Sequence, residues 1–128
     1  MISQIFGSTV VAAGSGSSKK VPLAAFDVYI EPPDSASNEK GEKIYYVSIV
    51  FPTSEYFPKG AEKVRLNFKK IKEQCQKNET ELINQNISTA QGLSCTVKPG
   101  TADWVSFSFL DKAGKLVAKT DSMKIEFR

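Results

Sequence analysis

The sequence predicts an all-β protein, an antiparallel two-sheet sandwich with an extended N-terminal arm and one short helical segment. Three observations carry this expectation. Past the linker, runs in which apolar and polar residues alternate with a period of two dominate the sequence, the pattern of strands covered on one side. Turn-forming stretches such as "PPDSASNEKGEK", "KPGTAD" and "DKAG" separate the alternating runs, as hairpin-connected strands require. Long helical patterns are not interleaved with them, which argues against a parallel α/β sheet.

Residues 1–20 read as an arm and linker, and residues 21–128 as the folded domain. The arm carries Ile2, Ile5, Phe6, Val10 and Val11 and then "AGSGSSKK", a flexible tether that spans roughly 15 Å on average. It lacks a basic leading region, and its apolar stretch is broken by Gly7, Ser8 and Thr9, so it is not read as a signal peptide. In "FDVYIE", Phe26, Val28 and Ile30 face one way. "IYYVSIVFP" turns Tyr45, Val47, Ile49 and Phe51 inward until Pro52 ends it, and "KVRLNFK" turns Val64, Leu66 and Phe68 inward. Ile71, Cys75, Asn78 and Leu82 then fall at helical spacing, which places the short helix there. Alternation resumes in "LSCTV" (Leu93, Cys95, Val97), "WVSFSFL" (Val105, Phe107, Phe109), "KLVAKT" and "SMKIEFR" (Met123, Ile125, Phe127).

The two strands flanking "DKAG" resemble the closing hairpin of immunoglobulin-like domains over about twenty residues, a likeness that implies a fold class and no activity. A partly open barrel of the OB kind is the competing architecture.

Composition excludes most chemistry. The chain has no histidine, which removes the usual serine and cysteine triads, most zinc sites and the commonest general base. Acidic residues such as Asp27, Glu31, Asp111 and Glu126 fall on outward phases or in turns, and no phosphate-binding or calcium loop is present. The expectation is a non-enzyme with no cofactor, no metal and no small-molecule substrate. Hydrophobic residues make up 41% and charged residues 24%, with a net charge of +3, ordinary values for one globular domain. No apolar run is long enough for a transmembrane segment.

Cys75 and Cys95 both point to the core. Bonded, they would close a loop worth roughly 3 kcal/mol; reduced, each is a small buried hydrophobe, and composition leaves both states open. "NET" at Asn78 and "NIS" at Asn86 match the glycosylation sequon and indicate an exposed loop. Basic residues are densest from Lys59 to Lys77, and Lys63, Arg65 and Lys69 form an outward stripe. The aromatic residues beside it are read as inward, which argues against nucleic acid as a partner, because single strands need stacking platforms.

These features predict a structural or assembly subunit of a virion, phage particle or surface filament, whose partners are copies of itself or other subunits and whose arm makes the contacts. The alternatives are a secreted or surface-exposed module that recognises protein or carbohydrate, and a single-stranded nucleic-acid binder. A virion, cell-surface or extracellular location is expected.

Overall fold

A computed structural model describes residues 19–31, 37–87 and 93–128, so the arm residues Ile2, Ile5, Phe6, Val10 and Val11 lie outside the described residues. The described strands are β1 (Lys19–Lys20), β2 (Asp27–Glu31), β3 (Lys43–Val50), β4 (Lys63–Phe68), β5 (Glu79–Ile83), β6 (Asn86–Ile87), β7 (Ser94–Val97), β8 (Thr101–Leu110), β9 (Leu116–Lys119) and β10 (Met123–Phe127). Among the described residues, helix is confined to two single 3₁₀ turns, Leu23–Ala25 and Lys72–Gln74.

The strands form one curled sheet, a half-barrel, in the order β1-β9-β8-β4-β5-β6-β3-β2. β10 pairs with the Thr101–Val105 end of β8, and β7 pairs with the Lys43–Tyr46 end of β3. Every pairing is antiparallel except that of β1 with β9, which is parallel. Where the sequence predicts two separate sheets, the structure joins them: Glu79–Glu81 of β5 pairs with β4, and Leu82–Ile83 pairs with β6, which in turn pairs with β3. The hairpin between β5 and β6 turns at Asn84 and Gln85, whose φ angles of 50° and 70° match the primed turn that suits twisted strands.

The helix expected over Ile71, Cys75, Asn78 and Leu82 shrinks to the Lys72–Gln74 turn. At Cys75 the backbone is already extended (φ −99°, ψ 133°), beside Cys95 in a single antiparallel bridge. Beyond it Thr80 is buried and Leu82 half-buried while Glu81 and Ile83 are exposed, so a period of two replaces helical spacing.

The inward phases of β3, β4, β7, β8 and β10 fill the concave side. Phe26 meets both Phe51 and Phe107 at 5.3 Å between ring centroids. Phe51, just past β3, meets Phe109 of β8 at 5.8 Å. Tyr45 meets Phe127 at 5.2 Å, and its hydroxyl donates to the Arg128 carbonyl. Apart from Phe26–Phe51, which lies at the paired ends of β2 and β3, these contacts join parts of the sheet that are not neighbours, and each buried ring contributes about 2 to 3 kcal/mol. The curl is therefore held by its contents as well as by its ladder.

Candidate functional site

The outward face of β4, β8 and β10 carries the sequence-predicted basic stripe. Arg65 and Lys69 are exposed and Lys63 is half-buried. The ladder lays out this face in rows, because residues directly opposite in an antiparallel pair share a side. One row runs Glu79, Arg65, Ser108, Lys119 and Lys20 across five strands. Arg65 is tied to Glu79, Nη2 to Oε2 at 2.9 Å. The next row holds Asn67 and Ser106, and the Asn67 amide donates to Ser108 Oγ at 3.0 Å.

The third row sets Trp104 between Lys69 and Lys124. Trp104 is 47% exposed; Lys124 is its partner in β10, and the Lys69 amide donates to the Trp104 carbonyl at 3.0 Å. The expectation that aromatic residues near the stripe face inward is thus overturned. With Val105, Phe107 and Phe109 inward, alternation alone puts Trp104 outward, and that signal was present in the sequence. Arg128, bonded to Glu126 at 2.8 Å, holds the Glu126 carboxyl below its usual range, with Lys124 adding to the effect.

Asp103 positions this row from behind. It lies on the inward phase of β8 and is only 2% exposed. Its Oδ2 accepts the backbone N–H groups of Lys70 at 2.8 Å and Ile71 at 3.0 Å, and its Oδ1 accepts that of Trp104 at 2.7 Å. Burial pushes its pKa up, but these three N–H groups and the Lys70 charge outweigh burial and lower it. Four residues on from Ile71, Cys75 is bonded to Cys95 with a Cα separation of 3.9 Å. Lys70–Cys75 is thus fastened to β8 at one end and to β7 at the other, so it straps the two halves of the sheet together. Gln76 continues the strap, donating its backbone N–H to the Ser94 carbonyl at 2.8 Å.

A second surface lies across the molecule. β2 ends the sheet and pairs with β3 alone among the described strands. Its inward residues Val28 and Ile30 are only half-buried. On the outward side Tyr29, Ile44 and Tyr46 are 48%, 41% and 37% exposed. Tyr29 opposes Ser48 and Tyr46 opposes Glu31, so the two tyrosines are diagonal neighbours within reach of each other. At the other end of the sheet, Lys19–Lys20 pairs with β9.

Among the described residues, no three His, Cys, Asp or Glu side chains converge to hold a metal ion, and no helix is long and apolar enough to cross a membrane. Asn86 of the second sequon is exposed and Asn78 of the first is half-buried. Searches of protein-family models, curated proteins and solved structures found no match to this chain.

Proposed function

We propose that this chain is a non-enzymatic structural subunit that assembles with copies of itself into a particle or filament, such as a virion or surface structure. On this reading its curled sheet is an immunoglobulin-like sandwich whose two layers are the β2–β3–β7 and β4–β8–β10 halves. The observation that carries it is the β2 edge, unpaired among the described residues, with Tyr29, Ile44 and Tyr46 beside it. An edge strand offers a row of free N–H and C=O groups to another chain, and adjacent apolar side chains supply affinity. Burying these three contributes about 3 kcal/mol before ordering costs. Ile2, Ile5, Phe6, Val10 and Val11 are the apolar segment that a neighbouring copy would add to that edge by β-augmentation.

Light scattering on the full chain tests this. The expected result is an oligomer that becomes monomeric in a Tyr29→Ser, Tyr46→Ser variant and on removal of residues 1–18, with melting temperatures unchanged. A full chain that stays monomeric at every concentration defeats the proposal. So does a truncated chain that melts early, since the arm would then complete its own domain.

A second reading, a surface-exposed module that recognises protein or carbohydrate, is favoured by one observation, the exposure of Trp104 between two lysines.

A further inference from the structure

We propose that the outward face of β4, β8 and β10 binds an acidic polysaccharide, with a sugar ring packed on Trp104 and its carboxylate or sulfate groups on Lys69 and Lys124. The inference rests on the second reading above and does not depend on assembly.

Charge selects the ligand class. Of the acidic side chains bordering this face, Glu79 pairs with Arg65, Asp121 with Lys20 and Glu126 with Arg128, while Glu81 stands opposite Lys63, three rows along β4 from Lys69. Lys69 and Lys124 make no ion pair among the described residues and stay free for an anion. Strand spacing puts their Cα atoms roughly 10 Å apart, with the indole between them. A single exposed indole between two ammonium groups suits a ring whose C–H face is apolar and whose rim carries negative charge.

Polarity and shape separate a glycan from a nucleic acid. Single strands are held in a positive groove with several aromatic platforms in succession. This face is an open sheet surface with Trp104 as its aromatic residue, and the arginines on and beside it, Arg65 and Arg128, are spent on Glu79 and Glu126. Along the sheet from Trp104 stand Asn67, Ser106 and Ser108, whose amide and hydroxyl groups match a polyhydroxylated chain. The Cys75–Cys95 bond is of the kind that persists in oxidising compartments, where such polymers are met.

Trp104 is the only tryptophan in the chain, so its emission reports directly on the site. The full chain is titrated with polygalacturonate, heparin, neutral dextran and poly(dT) at low salt. A saturable change in emission with polygalacturonate, heparin or both is expected, the two arms telling carboxylate from sulfate recognition. Lys69→Gln with Lys124→Gln should weaken that binding about tenfold, two exposed charge contacts being worth roughly that much. Lys40→Gln with Lys112→Gln, an equal charge change in exposed turns, should leave it unaltered. Trp104→Ala should abolish retention on a heparin or polygalacturonate column while melting as the parent does. Equal weakening by the two lysine pairs overturns the proposal, as does tighter binding of poly(dT). Binding of dextran alone overturns the acidic class yet keeps a carbohydrate module, whereas an unchanged emission with every polymer overturns both.

Discussion

The two outward faces of this sheet are made by the same alternation and end up chemically opposite. On β2 and β3 the outward positions hold Tyr29, Ile44 and Tyr46 beside an edge that is unpaired among the described residues. On β4, β8 and β10 they hold Trp104, serines, an asparagine and a line of cations. The inward phases of β3, β4 and the second half of β8 are interchangeable by comparison: Tyr45, Val47, Ile49, Val64, Leu66, Phe68, Val105, Phe107 and Phe109 are all apolar or aromatic and packed to near-complete burial. Fold is therefore written on one phase of each strand and distinctiveness on the other. The two halves also differ in how the Lys70–Cys75 strap grips them: β7 is held by a covalent bond and β8 by a carboxylate.

The largest expected effect comes from breaking the carboxylate end. Asp103→Ala leaves the amides of Lys70 and Ile71 without their acceptor and should cost about 3 to 4 kcal/mol, read as a lower midpoint in urea. The same residue sets an acid limit. Its folded-state pKa is depressed below 3.8, so its contribution is present in full above that value and is lost as pH falls through the folded-state pKa. Asp103→Asn should flatten the acid side of the stability curve, and a curve of unchanged shape would mean that the carboxylate is not the fastener.

Breaking the covalent end is next. Cys75→Ala with Cys95→Ala should cost about 3 kcal/mol through the freed loop. If both fasteners act through one strap, the Asp103 and cysteine changes should combine for less than their sum, a coupling measurable by a double-mutant cycle.

A smaller gain sharpens the comparison at the junction of the halves. Gln85 holds a φ of 70°, a conformation costing a non-glycine residue about 1 kcal/mol, so Gln85→Gly should raise stability by about that much. Smallest of all is the effect of Tyr29→Ser with Tyr46→Ser, expected to stay within about 0.5 kcal/mol for exposed positions while changing the mass in solution. A large loss of stability there would show that the β2–β3 face belongs to the core.

Much of this was legible in the alternation. β3, β4, β8 and β10 each show the inward set that their sequence predicts, because one buried face fixes the phase of a strand. β1 and β6 were not legible, since two residues have no pattern: β1 is a strand through its pairing with β9, and β6 through its pairings with β5 and β3. Residues 70–83 misled because a 3₁₀ turn followed by a strand happens to space Ile71, Cys75, Asn78 and Leu82 like a helix. Trp104 could have been found from the phase of its neighbours. Asp103 could be placed inward, but its partners are main-chain amides 32 and 33 residues away, and no side-chain motif announces such a bond.

The bond between Cys75 and Cys95 spans 20 positions of sequence and closes β5 and β6 inside a covalent ring. A protease that cuts once between Gln76 and Ser94 opens the ring without dividing the molecule: the two pieces remain a single particle of full mass, and they separate on a denaturing gel only after a reductant is added. Were such a cut to fall near the Asn84–Gln85 turn, β3, β4, β7 and β8 would still be linked through the Lys70–Cys75 strap, and the nicked chain would keep both outward faces on one body.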